Sequence, residues 1–527
     1  DRMAELERKH LLSRWAALEN ERSSWMAHWQ EISEHVLPRS GRFVLTDRNK
    51  GDKRHNRIHD NTATRALRVL AAGMMSGMTS PARPWFRLTT SIPELDESAN
   101  VKAWLADVTR MMQMVFAKSN TYRALHAMYE ELGAFGTAGS IVLPDYNGVI
   151  HHYPLTTGEF AIATDGRGMV NVLYREFEMT VAQMVREFGK ERCSPTVQSL
   201  FDRGALEQWV PVMHAIEPRA DRDARKRDAK HMPYRSVYFE KGSDSSRVLR
   251  ESGFREFPAL CPRWATPGGE IYGNSPAMDA LGDIKQLQHE QLRKAQGIDY
   301  KTKPPLQVPV QLKNQEINTL PGGITYVDAA SPTGGVRNAF EVALDLSHLL
   351  ADIQDVRERI KASFYADLFL MLANDSNPQM TATEVAERHE EKLLMLGPVL
   401  ERMHNEILDP LIETTFARMV EANIIPPAPD EMQGMELNVE FVSMLAQAQR
   451  AIATNSVDRY VSHLGAVAQV KPEVLDKLDA DYWADMYADA LGIDPKLIVP
   501  GEKVALIRQQ RQQAMEAQQQ RSEEHTS

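Results

Sequence analysis

Apolar residues in the first 36 positions recur at steps of three and four. Leu11, Trp15, Leu18, Trp25, Trp29, Ile32 and Val36 share one side of a helix predicted over residues 3–36, with Arg22 in the same register. Three tryptophans on one face point to core packing. Pro38 and Gly41 end the helix. Residues 42–60 are polar and basic and read as a loop or arm. A short Ala-, Met- and Gly-rich helix is predicted over 61–78, and Ser80-Pro81-Ala82-Arg83-Pro84 breaks it, because two prolines cannot continue a helix. Residues 98–132 are predicted helical again.

The pattern then changes period. Ser140–Leu143, His151–Pro154, Phe160–Thr164 and Val170–Phe177 are β-prone runs separated by the hairpin dipeptides Asn147-Gly148 and Asp165-Gly166. Residues 180–215 read as helical and 217–231 as a solvated mixed-charge loop. Tyr234–Phe239 and residues 247–264 read as strands. Residues 1–274 are therefore expected to form one α+β body.

Ser275-Pro276 is a helix start, with the hydroxyl as N-cap and proline in the first turn. Met278, Leu281, Ile284, Leu287, Leu292 and Ala295 fall on one half of the helix that follows, and Gly297 is expected to stop it. Residues 298–342 are studded with prolines and glycines. They predict a small β insertion with strand-like pieces at Leu306–Leu312 and Ile324–Val327. A second long helix is predicted over 343–372 on the stripe Leu346, Leu349, Ile353, Val356, Ile360, Phe364 and Leu368. The polar segment 373–380 interrupts it. Thr381-Ala382-Thr383-Glu384 is a capping box opening a third helix over 381–421, with kinks expected at Pro398 and Pro410. Residues 422–527 read as helical, with a Gln-rich end from Arg508 expected to fray. Two long helices around a β insertion make a thin stalk with poorly covered faces. Such a stalk is stabilised by its own body or by copies of itself, and a head-to-tail contact that closes makes a ring.

The chain of 527 residues has length for three or four structural units. Two cysteines, Cys193 and Cys261, cannot build a disulfide framework, so a reducing compartment is expected. The longest apolar runs, such as Leu368–Leu372, are far short of the roughly 20 residues of a transmembrane helix. The net charge of −11 argues against a nucleic-acid binder working by bulk attraction. Its distribution is uneven: residues 38–87 hold eleven Lys/Arg against three Asp/Glu, and residues 422–527 hold nine against sixteen. The basic arm from Arg39 to Arg57 is the best electrostatic candidate for nucleic acid, against the alternative of a solvated or subunit-contacting arm.

No catalytic constellation stands out. The chain lacks a phosphate-cradling G-x-x-x-x-G-K-[ST] and a G-x-S-x-G nucleophile elbow. His289-Glu290 and His389-Glu390 each lack the second histidine of a zinc helix, and Asp479-Ala480-Asp481 reads as a helix cap. No metal site and no cofactor is expected.

Several blocks resemble, in order, the head-to-tail connector (portal) proteins of short-tailed, T7-like bacteriophages. They are Arg14-Trp15, Trp25 and Trp29 with Leu37-Pro38-Arg39; Asp60-Asn61-Thr62-Ala63; Leu70-Ala71-Ala72-Gly73-Met74; and Thr79–Phe86. Further along come Tyr272-Gly273-Asn274-Ser275-Pro276 with Leu281–Lys285, and Met380–Val385 with Leu396-Gly397-Pro398. Residues after about 430 match least.

The resemblance implies a mostly helical α+β portal fold in which residues 1–274 form the wing. The stem would be 275–297 and 343–372, the clip 298–342 and the tunnel loop 373–380. Residues 381–421 would be a long wing helix and 422–527 the crown and tail. It implies a ring of about twelve copies at one capsid vertex of the virion, assembled in the host cytoplasm, without enzymatic activity. Double-stranded DNA would pass through non-specifically. The partners implied are the terminase large subunit, tail adaptor or nozzle proteins, capsid and scaffolding proteins, and internal core or ejection proteins, with no membrane. Asn374, Asp375, Ser376, Asn377 and Gln379 would face DNA. Asp352, Asp355 and Glu358, offset by Arg357, Arg359 and Lys361, would line an acidic bore, because a basic wall would hold the phosphate backbone. Lys301, Lys303, Lys313 and Arg337 in the clip would meet partner proteins or DNA. The competing classes are another virion or tail-adaptor component, and a hydrolase with a site assembled from scattered residues.

Overall fold

Leu11, Trp15, Leu18, Trp29, Ile32 and Val36 are all buried, as their spacing requires, on helix α1 (Arg2–Val36). The computed structural model describes residues 2–46, 51, 54, 56–96, 98–242, 247–326, 335–339, 343, 345–373, 381–491, 493 and 497–524. The fold is α+β and mostly helical. After α1 come α2 (Thr62–Met78), β1 (Phe86–Thr90), α3 (Pro93–Asp96), α4 (Ala99–Lys118) and α5 (Thr121–Phe135). The expected single helix over 98–132 is thus two pieces, α4 and α5. The break at Ser119-Asn120 has a cause: the Asn120 side chain leaves the helical ladder and pairs with the backbone of His152, donating at 2.9 Å and accepting at 2.9 Å.

The middle is antiparallel sheet. It comprises β2 (Gly139–Asp145), β3 (Val149–Leu155), β4 (Phe160–Thr164), β5 (Val170–Thr180), α6 (Val181–Phe188), α7 (Pro195–Asp202), β6 (Trp209–Pro218), β7 (Tyr234–Glu240), β8 (Val248–Phe254) and β9 (Ala259–Leu260). Five strands pair in the order β4-β5-β6-β7-β8, and three in the order β3-β2-β9. The helical reading of 180–215 is corrected at its end, where β6 sits at the centre of the five-stranded sheet. Val212 to Ile216 are buried on both faces, so the alternation that marks a half-buried strand is missing.

The stalk follows. It consists of α8 (Pro276–Thr302), β10 (Leu306–Gln307), β11 (Arg337–Asn338), α9 (Ser347–Ser363) and α10 (Ala366–Ala373). Gly297 does not stop α8, which runs on to the Lys303 cap ahead of Pro304-Pro305. A lone glycine weakens a helix, whereas a following proline forbids continuation. The β insertion is sparser than expected. Leu306–Gln307 pair with Arg337–Asn338, Val310–Leu312 form a 3₁₀ turn, and Ile324 to Tyr326 are not strand; Val327 lies outside the described residues. The helix expected over 343–372 starts at Ser347 and breaks at Tyr365, which adopts φ 54°. The break lets Phe364, Leu368 and Phe369 all enter the core.

The chain then forms α11 (Ala382–Met403), a π-turn (His404–Leu408), α12 (Asp409–Glu421), β12 (Leu437–Phe441), α13 (Met444–Ala468), α14 (Ala480–Leu491) and α15 (Gly501–Glu524). Thr381 caps α11 by accepting from the Glu384 N–H at 3.2 Å. The helix departs from helical dihedrals at His389, not at Pro398, while Gln449 donates to the Leu393 carbonyl one turn before that proline, at 2.6 Å. Irregularity at Pro410 takes the form of the preceding π-turn. The all-helical reading of 422–527 misses β12, which pairs along its length with β1, Phe86 opposite Phe441. The Gln-rich end is a solvent-exposed helix, built from good helix formers. Among the described residues no helix is long and apolar enough to cross a membrane.

Candidate assembly surface of the stalk

The stalk is anchored at its start. The Ser275 hydroxyl accepts from the Met278 N–H at 3.1 Å and donates to the Ala134 carbonyl at the end of α5 at 2.8 Å. Ala277, Ala280, Ile284 and Leu287 then bury one face of α8 against the body, and Ile353, Val356 and Ile360 do the same for α9. The helices lie antiparallel: Gln286 reaches Asp352, and Arg359 reaches Asp283. Beyond Gln291, α8 carries exposed Leu292, Ile298 and Tyr300.

A latch holds one flank of this pair to the arm. Asp60, only 9% exposed, accepts from both Nε and Nη2 of Arg357 on α9, at 2.9 and 2.7 Å, and from Gln291 on α8 at 2.8 Å. Gln288 adds a backbone clamp, accepting from the Asp60 N–H at 2.9 Å and donating to its carbonyl at 2.8 Å. Burial raises the Asp60 pKa, but hydrogen bonds from Thr62, Arg357 and Gln291 outweigh it and hold the carboxyl below its usual range. A cleft of about 860 Å³ opens beside the latch, lined by the arm, α2, α8, α9 and the start of α10. The basic arm itself is partly neutralised: Arg42 pairs with Glu159 and Arg57 with Glu34.

The opposite flank is open and acidic. Arg359 bridges Asp283 and Asp355, each at 3.3 Å. Glu290 and Asp352 face each other across the two helices and share the Gln286 amide, at 2.8 and 3.4 Å. Burial, then the facing Asp352, push Glu290 upward.

Of the expected wall residues, Asp352 and Asp355 lie on this open flank. Glu358 does not join them. It pairs with Lys361 at 3.0 Å and lines the cleft. Asn374, Asp375, Ser376, Asn377 and Gln379 lie outside the described residues. Lys301, Lys303, Lys313 and Arg337 are all exposed at the far end of the stalk. That end also carries an apolar tip the sequence reading overlooked: Val310, Leu320, Ile324 and Tyr326 are 73–86% exposed. The latch was overlooked as well, although Asp60-Asn61-Thr62-Ala63 carried part of the family resemblance.

Among the described residues, the one Ser–His pair that approaches a hydrolytic arrangement is His214 with Ser236, at 2.7 Å. Its third group is the Arg175 guanidinium at 3.1 Å, where a catalytic base needs a carboxylate. Burial, then the charges of Arg175 and Arg250, push the imidazole pKa well below its usual value. Among the described residues no group of three or more His, Cys, Asp or Glu side chains could hold a metal ion.

The described residues thus form a helical–sheet body carrying a two-helix stalk, latched on one flank and open on the other. The chain belongs to the bacteriophage head to tail connecting protein family, whose model matches residues 8–499. It is 77% identical to a probable portal protein of Bordetella phage BPP-1 over 98% of this chain and 93% of that one. It is 47% identical to a portal protein of Salmonella phage epsilon15 with the same coverage. Among solved structures, a chain from the neck of an empty gene transfer agent particle aligns at 11% identity over 86% of this chain and 96% of that one, with a TM-score of 0.36.

Proposed function

We propose that the protein forms a closed ring of about twelve copies at one capsid vertex of a phage virion, a conduit for double-stranded DNA during packaging and ejection. Family membership from residue 8 to residue 499, with relatives named portal proteins at 77% and 47% identity, carries this reading. The stalk helices stand side by side with their counterparts around the axis. The far end of the stalk, with Lys301, Lys303, Lys313, Arg337 and the apolar tip, docks the terminase large subunit first and tail proteins afterwards. The body and the residues after 422 meet capsid, scaffolding and internal core proteins. The protein itself does no chemistry, and ATP is hydrolysed by the docked motor.

The mechanism is geometric and electrostatic. Asp352 and Asp355 contribute to an acidic bore that does not retain phosphates, and residues 374–379 touch the duplex only through polar groups. A native mass measurement tests the reading. Twelve copies of the 59.5 kDa chain give about 0.7 MDa. A compact monomer under assembly conditions overturns it.

A further inference from the structure

The two flanks of the stalk are electrostatically unequal. On the open flank, Asp283, Glu290, Asp352 and Asp355 share one cation among the described residues, Arg359. Once Arg359 is assigned to Asp283 and Asp355, Glu290 and Asp352 are left facing each other with only the Gln286 amide between them. On the cleft flank, Arg357 is taken by Asp60, Lys361 by Glu358, and Asp367 by Lys392. Arg65 and Lys294 also line that cleft, and neither has an ion-pair partner among the described residues. Lys294 stands one turn from Glu290 on the same helix, yet the two do not pair.

Counting Arg359 as one charge, the open flank carries a surplus of three negative charges and the cleft a surplus of two positive ones, Arg65 and Lys294, so the two surfaces are opposite in sign. Asp355 and Arg357, two positions apart on α9, are about 200° apart around it. One turns to Asp283's neighbour Arg359 and the other to the arm. Complementary surfaces set apart on one molecule favour head-to-tail pairing, which makes a ring where the rotation between copies closes and an open filament where it does not.

We propose that the Glu290–Asp352 flank of one copy seats against the Arg65–Lys294 cleft of the next copy, and that this charge match sets the register of neighbouring stalks. The inference rests on the ring reading above and names the surfaces that carry it. The cleft, about 860 Å³ in volume, has room for side chains from a neighbouring helix. Pairs at such a rim add little affinity, but they exclude wrong registers, because like charges brought together are repelled.

The test uses the full chain and reads the fraction of protein in closed rings by native mass and negative-stain microscopy. Three variants are compared with the parent: Glu290→Lys with Asp352→Lys, Arg65→Glu with Lys294→Glu, and all four together. Each single-flank reversal is expected to lower the ring fraction at least tenfold. The fourfold variant, whose charges are exchanged on both flanks, is expected to recover it. The milder Glu290→Gln with Asp352→Asn gives an intermediate loss and guards against misfolding in the reversals. If the parent forms rings and every variant forms them equally well, the flank pairing is wrong while the ring stands. A folded fourfold variant that stays open also overturns the pairing. If the parent itself never closes, the ring reading fails first.

Discussion

The side chain of Phe369 occupies the space that a side chain at Gly73 would need. A Cβ built on Gly73 falls 2.3 Å from the Phe369 Cβ and 2.6 Å from its Cα. This close approach seats α10 on α2, and the turn at Tyr365 aims the chain into it. Gly73→Ala must therefore push backbone, not a flexible tip. It is expected to destabilise the fold by about 1–3 kcal/mol, as overpacking does. Phe369→Ala is expected to cost about 3–5 kcal/mol through the cavity it leaves. Chemical denaturation of both singles and the double checks the coupling: the double variant should cost less than the sum.

Asp60 ties the arm to both stalk helices. Its folded pKa is depressed, so the stabilisation is present above the ordinary carboxylate pKa and is lost as pH falls through the folded value. Asp60→Asn is expected to cost about 1.5–3 kcal/mol at neutral pH, the range for hydrogen bonds to charged groups. The acid limb of the stability–pH curve should also flatten. A variant melting like the parent at every pH contradicts the latch.

Glu131 behaves with the opposite sign. It is fully buried on α5 and accepts from the Thr156 and Thr157 hydroxyls and the Thr157 N–H. Burial pushes its pKa up to about 7. The folded state therefore holds its proton where the unfolded chain has lost it. Stability should decline as pH rises from the ordinary carboxylate range to about 7 and level off above. Glu131→Gln should abolish that decline and be the more stable protein at pH 8, by about 3 kcal/mol, the linkage value of the shift. Thermal melts between pH 5 and 8 read it directly.

Arg263 and Glu406 form a buried ion pair between the segment after β9 and the π-turn. Arg263 Nη2 lies 2.7 Å from Oε1, and the Arg263 N–H lies 2.8 Å from Oε2. Glu406→Ala strands a buried guanidinium and is expected to cost about 3–5 kcal/mol. Adding Arg263→Met should recover part of that loss in the same denaturation assay.

At the far end of the stalk, Val310→Asp with Tyr326→Asp changes only exposed positions, so stability should move by no more than about 0.5 kcal/mol. Ring formation should be unchanged. Binding of the packaging motor should weaken at least tenfold in a pull-down titration, and unchanged binding removes the apolar tip from the docking surface.

Much of this architecture could be read from local signals. Ser275-Pro276 states its own function, because an N-cap hydroxyl and a first-turn proline act within one turn of helix. The Trp15 and Trp29 stripe is likewise local, as are the capping residues Thr381 and Asp479. What escaped were relations across long separations. Leu437–Phe441 becomes a strand because β1, some 350 residues earlier, offers an edge. Val212–Ile216 within β6 is buried on both faces and loses its alternation. Asp60 is an ordinary polar residue until Gln288, Gln291 and Arg357 arrive from 228 to 297 positions away. The stripe Asp352, Asp355, Glu358 looked uniform by spacing. Its members part because the six residues from Asp352 to Glu358 turn the helix by about 120°, which takes Glu358 round to the cleft.

Cryo-electron microscopy of the purified full chain tests the central claim most directly. The account predicts closed rings in which α8 and α9 of each copy lie beside those of the next, around a passage wide enough for a DNA duplex. Assemblies in which α8 and α9 of neighbouring copies do not meet, or that have no continuous axial passage, contradict it.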